Sequence, residues 1–191
     1  MWWRRIKMKF IVVFILSLLF FSCKKEKEFP LKNVAKVEFI SYYDRTVWDT
    51  IKVNGKNSIY KTLVVNGKFV FDSTFIREKI VLNKSQESEL LTLITCDTCI
   101  SEELPAACYM PRHMIVFRNT KNKIIAYNEF CFHCIGSRQS KVLENYQKFC
   151  LSDMSALFEK VGIKYFADNE EQQREESVFN DSILKARGII D

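Results

Sequence analysis

Hydrophobic and polar positions follow two different periods along this chain, after one nearly unbroken apolar run from Phe10 to Phe21. From Lys36 to Arg45 the pattern is rich in strand formers, with Val37, Phe39, Ile40, Tyr42 and Tyr43. Ser58–Val65 and Lys68–Ser73 flank Asn66-Gly67, a pair suited to the two positive-φ positions of a type I′ hairpin turn. Thr74–Leu82 continues as a further strand. Met114–Arg118 and Lys123–Phe130 form another apolar pair around Asn119-Thr120-Lys121-Asn122. A three-residue loop, Thr120 to Asn122, places Asn122 at the left-handed position.

The helical period appears twice. Asn83 with Gln86 three residues on makes a capping box, followed by Leu90, Leu91 and Ile94. Ser152 and Asp153 open a second helix, to Val161, in which Met154, Leu157, Phe158 and Val161 form one stripe. Gly162 then stands where a left-handed C-terminal residue is wanted. The stretch Asn169–Gly188 is polar and then partly amphipathic through Val178, Phe179, Ile183 and Leu184, which reads as a peripheral helix. These elements predict an α+β domain: a mainly antiparallel sheet of β-hairpins with two or three packed helices.

The first apolar run is not part of that domain. Arg4, Arg5, Lys7 and Lys9 precede it, and its twelve residues reach only about 18 Å as a helix, against a bilayer core of about 30 Å. No alanine occurs before Ala35, so an A-x-A cleavage site is missing. The run ends instead in Leu19-Phe20-Phe21-Ser22-Cys23, which resembles the lipobox of bacterial lipoproteins, with Phe20 and Phe21 bulkier than usual. That resemblance implies cleavage before Cys23 and acylation (palmitate-type chains) of its thiol. The expected organisation is residues 1–22 signal peptide, 23–33 lipidated tether, 34–166 α+β domain and 167–191 peripheral helical tail. The tether Lys24-Lys25-Glu26-Lys27-Glu28 is a solvated linker.

Charge and composition narrow the partners. Loss of Arg4, Arg5, Lys7 and Lys9 takes the formal charge from +6 to +2, which removes the electrostatic motive for binding nucleic acid. Sixteen phenylalanines against five glycines and three prolines point to a packed domain.

Six cysteines follow Cys23: Cys96, Cys99, Cys108, Cys131, Cys134 and Cys150. An exported domain with an even number favours disulfides, in any of several pairings. Cys96-x-x-Cys99 and Cys131-x-x-Cys134 can alternatively hold zinc through four thiolates, with His113 or His133 as substitutes. Thiol redox chemistry is the third reading, weakened because neither C-x-x-C looks like a helix start. Extending the hairpin register from the Thr120–Asn122 loop sets Phe117 opposite Ile125, His113 opposite Glu129, and Cys108 opposite Cys134, with Pro111 bending the strand between.

Cys108-Tyr109-Met110-Pro111-Arg112-His113-Met114-Ile115-Val116-Phe117 and Glu129-Phe130-Cys131-Phe132-His133-Cys134 resemble a family of uncharacterised exported bacterial lipoproteins, with C-Y-x-P-R-x-x-I-x-F and E-x-C-F-x-C strands. The resemblance spans residues 96–166 and carries no activity with it.

The polar candidates are Arg112, His113, Glu129 and His133. His113 with Glu129 can be a base with its orienting carboxylate, or an ordinary cross-strand ion pair, the commoner case. Arg112 can bind an anion or be an exposed strand-end arginine. No catalytic constellation is complete. The function expected is a non-enzymatic binding or structural module, held by Cys23 acyl chains to a cell-envelope membrane, the outer membrane for preference. The alternative is a metal-dependent or thiol enzyme centred on Cys96 to Cys134.

Overall fold

The computed structural model describes residues 31–53, 56–59, 62–95, 109–146 and 150–190. Its frame is a five-stranded antiparallel sheet in the order Ile76–Val81, Lys36–Tyr42, His113–Arg118, Ile124–Cys131, Gly136–Gln139. The strands are β1 (Lys36–Tyr42), β6 (Ile76–Val81), β7 (His113–Arg118), β8 (Ile124–Cys131) and β9 (Gly136–Gln139). Two small hairpins accompany it, β2 (Thr50–Val53) with β3 (Lys56–Ile59) and β4 (Val64–Val65) with β5 (Lys68–Phe69). Among the described residues four α-helical segments accompany the strands: the single turn α1 (Arg45–Trp48), α2 (Lys84–Thr95), α3 (Leu151–Val161) and α4 (Glu170–Ala186). The architecture is α+β, as the hydrophobic pattern predicts. No described helix is long and apolar enough to cross a membrane.

Both faces of the sheet are covered, which explains why β7 reads as a continuous apolar run. On one face Phe39, Ile115, Phe117 and Phe130 pack with Leu90 and Ile94 of α2 and with Met154, Leu157, Phe158 and Val161 of α3. Phe39 stacks on Phe158 with ring centroids 4.0 Å apart. On the other face Ile40, Tyr42, Met114 and Val116 pack with Trp48 of α1, Leu63 and Phe71, while Phe179 and Ile183 of α4 close the edge.

Local signals account for several boundaries. Asn83 Oδ1 accepts from the Gln86 amide and Gln86 Oε1 from the Asn83 amide, a reciprocal capping box. Asn66 and Gly67 both take positive φ, 53° and 76°. A Cβ on Gly67 would lie 2.8 Å from Lys123 Cβ, so glycine is needed for space as well as for φ. Asn122 takes φ 57° and Gly162 φ 109°, both as expected.

Other boundaries differ. The first strand stops at Tyr42, and Arg45 opens α1 instead of ending the strand. The segment Thr74–Leu82 begins as a 3-10 turn, Ser73–Phe75, before β6. α3 starts at Leu151 after Cys150, which makes no side-chain cap, so Ser152 lies inside the first turn and is not the N-cap.

The consequential difference lies in the β7–β8 hairpin. Asn119 and Lys123 close the predicted three-residue loop, and Arg118 pairs with Ile124. Phe117 then pairs with Ala126, leaving Ile125 as a bulge. Every earlier pair slips by one: His113 faces Phe130, and Glu129 faces Met114. A one-residue slip sends a side chain to the opposite face, so the expected His113–Glu129 pair does not form.

Candidate functional site

His113, Arg112 and Glu129 each serve a separate network. His113 joins the helix-covered face, 2% exposed, among Phe132, Phe158 and Phe166. Its Nε2 lies 2.7 Å from the Tyr165 carbonyl oxygen, to which it donates. Burial pushes its pKa down to about 3, so the ring is neutral at neutral pH. Arg112 is not an exposed cation: at 11% exposure it grips Glu176 of α4, with Nη2 2.6 Å from Oε2. Glu176 also accepts from Tyr165 Oη at 2.9 Å and from the Asp44 amide. Burial would raise this carboxyl, but Arg112 and these donors outweigh it and hold it below the usual range. His133 is exposed in the turn after β8.

Glu129 anchors the third network, on the opposite face from His113. It is fully buried, and Arg45, the first residue of α1, is 1% exposed beside it. Arg45 Nε lies 2.8 Å from Oε1 and Nη2 donates to Oε2 at 3.2 Å. Tyr42 Oη donates to Oε1 at 2.7 Å, and Tyr109 Oη to Oε2 at 3.3 Å. Arg45 also ion-pairs with Asp49 one helical turn on. Burial raises the Glu129 pKa, and Arg45 and Tyr42 only partly oppose it. The phenol of Tyr42 is pushed up by its burial and by the Glu129 charge. Three hydrogen bonds and the close Arg45 charge hold the carboxylate in place, so Glu129 serves as a fixed support.

This support carries a cleft of about 360 Å³. Glu129, Arg45 and Leu63 form its floor, Tyr127 and Gln139 its walls, and Ser137, Arg138 and Glu144 its exposed rim. Glu129 and Arg138 are direct partners across β8 and β9 and therefore share a face. Ser140 fixes the corner after β9: its Oγ accepts from the Tyr127 amide at 3.1 Å and its own amide donates to the Tyr127 carbonyl at 3.0 Å. Gln139 Nε2 is held by the Leu143 carbonyl at 2.8 Å. Sequence reasoning missed the cleft, since Arg45, Glu129 and Arg138 come from distant segments. A larger groove of about 490 Å³ runs between α2 and α3, past Leu93, Ala156 and Leu157, and is spanned by the Lys160–Glu89 ion pair.

The cysteine region differs from the expected pairing. Cys134 is bonded to Cys131, with Cα atoms 5.3 Å apart, and so not to Cys108. Cys150 is also disulfide-bonded, its partner lying outside the described residues. The predictions for Cys23, Cys96, Cys99 and Cys108 fall outside the described residues. In this state Cys131 and Cys134 offer no thiolate pair to zinc, and no group of three or more potential metal ligands occurs among the described residues. The disulfide closes the turn between β8 and β9, where Cys131 pairs with Gly136. Cys134 Sγ accepts from the Met110 amide at 3.3 Å, which ties in the segment carrying Tyr109.

No protein-family model matches the chain, and no similar protein was found among curated proteins or solved structures.

Proposed function

We propose that the protein is a bacterial lipoprotein, anchored through acyl chains on Cys23 in a cell-envelope membrane, the outer membrane for preference, whose domain works as a non-enzymatic binding module. The anchor rests on the basic segment, the short apolar run and Ser22-Cys23. The observation that carries the binding reading is the cleft over Glu129, because its floor is rigid and its reactive-looking groups are already engaged by one another. Preorganised polar walls favour capture of a ligand over proton transfer. The charged tether of residues 24–28 sets the domain off the lipid surface. The test is metabolic labelling with a radioactive fatty acid. Wild-type chain takes up label and Cys23→Ala does not; label on Cys23→Ala at the wild-type level overturns the anchor.

One observation favours a second reading, thiol–disulfide exchange: Cys131 and Cys134 are bonded to each other within a C-x-x-C segment. Against it, each cysteine is only 2% exposed, which denies an incoming thiolate a path to sulfur. Reduction of a protein disulfide substrate by the dithiol form, lost in Cys131→Ser, would favour that reading.

A further inference from the structure

We propose that the cleft beside Glu129 binds a small zwitterion, an α-amino acid or a comparably small molecule, with its carboxylate on Arg138 and its ammonium on Glu144. The inference rests on reading the domain as a binding module and names the chemistry of its ligand.

Arg138 lines the cleft and is seated over the Tyr109 ring. Its guanidinium carbon sits 4.2 Å from the centroid of the Tyr109 ring. A guanidinium held over an aromatic face is positioned by the ring and can still donate through its N–H groups. Arg138 makes no ion pair or hydrogen bond with any described residue. Its cross-strand partner Glu129 is already held by Arg45, Tyr42 and Tyr109. A planar guanidinium seated over a ring and lining a cleft matches a carboxylate in two parallel hydrogen bonds. The stacking itself is built in: a Cβ on Gly136 would approach Tyr109 Cδ2 to 3.1 Å, so glycine lets this ring lie against the start of β9.

Glu144 lines the same cleft from the 3-10 turn Lys141–Tyr146 and has no ion pair with a described residue. A simple anion on Arg138 would meet the repulsion of Glu144. A ligand that also carries an ammonium turns that repulsion into attraction. The volume of about 360 Å³ lies near the lower end for ligand sites, which suits an amino acid. Tyr127 and Leu63 line the same cleft and add apolar carbon to its wall and floor.

The test is isothermal titration of the full chain in detergent micelles with glycine, L-alanine, L-serine and L-glutamate. Acetate, inorganic phosphate, ethylamine and glucose serve as partial probes. At least one amino acid is expected to bind more tightly than every partial probe. Arg138→Gln and Glu144→Gln are each expected to weaken it about tenfold, with Arg138→Lys in between. Both side chains are on the exposed rim, and an unchanged circular dichroism spectrum confirms folding. Acetate or phosphate binding as tightly as the amino acids, Glu144→Gln strengthening binding, or insensitivity to Arg138→Gln overturns the proposal. Tight binding of glucose alone overturns the zwitterion while keeping a binding module; no binding by any probe overturns the zwitterion too. The fatty-acid labelling of Cys23 is independent of all these outcomes.

Discussion

His113 and Glu129 lie on opposite faces of the central sheet, one residue out of the register that would pair them. The Ile125 bulge causes the separation, and it assigns the two groups to different tasks. His113 becomes a neutral donor inside an aromatic cluster, while Glu129 becomes the floor of a polar cleft.

The burial of His113 predicts a defined pH dependence. Its folded-state pKa is lowered to about 3. Below the unfolded value of about 6.5 the unfolded chain takes up a proton that the folded chain refuses. The His113 contribution is therefore complete above about pH 6.5 and is lost as pH falls toward 3. Its slope approaches about 1.4 kcal/mol per pH unit. Urea unfolding of wild type and His113→Asn should show this slope reduced in the variant by about half a proton at about pH 6.5, rising to close to one near pH 5. Equal slopes would contradict the neutral buried ring.

The Arg45–Glu129 pair should behave as one unit. Glu129→Gln or Arg45→Met leaves the other charge buried with an incomplete set of partners, at a cost of about 3 kcal/mol or more. The double variant should lose clearly less than the two single losses together, because neither member of the buried pair is left charged without the other; the loss of the Arg45–Asp49 ion pair is common to Arg45→Met and the double variant. A double-mutant cycle by chemical unfolding measures this; simple additivity would contradict direct coupling.

What the chain reveals in advance follows from how local each cause is. Asn66-Gly67, the Asn83–Gln86 box, Asn122 and Gly162 act within a few residues, and each is legible from its own neighbours. The bulge at Ile125 lies within an unbroken Ile124-Ile125-Ala126 run that no turn residue punctuates, so the register came out one residue wrong. β9, Gly136-Ser137-Arg138-Gln139, lacks β-branched and alternating apolar residues and exists through pairing with β8. The cleft joins residues from α1, β8 and β9, and no sequence spacing encodes that meeting. In the tail, the apolar positions suggested a helix, but the residue that ties α4 most tightly is Glu176, hidden within an acidic run.

Glu176 should act as the latch of α4. In Glu176→Gln the Arg112 ion pair is lost, at about 3 kcal/mol for a mostly buried partner. Amide exchange should quicken across Glu170–Ala186 while β7 and β8 keep their protection. The wild-type carboxyl lies below its usual range, so the stabilisation is present above about pH 4.3 and fades as pH falls through the lowered value. Uniform exchange across the chain in the variant would contradict a local latch.

Cys131 and Cys134 should resist alkylation in unreduced protein and react after reduction and unfolding. Cys150 should do the same. Replacing Cys131 and Cys134 by serine opens a four-residue loop, worth about 2 kcal/mol in the chain-entropy picture. Peptide mass mapping checks the bonds, and alkylation of Cys131 or Cys134 in the native, unreduced state would contradict them.

Intact-mass spectrometry of the chain purified from bacterial envelopes decides whether the proposed tether through Cys23 exists. The predicted result is a polypeptide beginning at Cys23, with two or three fatty acyl chains on that residue, enough for a stable hold on the bilayer. A chain beginning at Met1, or one beginning near Cys23 without acyl mass, would contradict it.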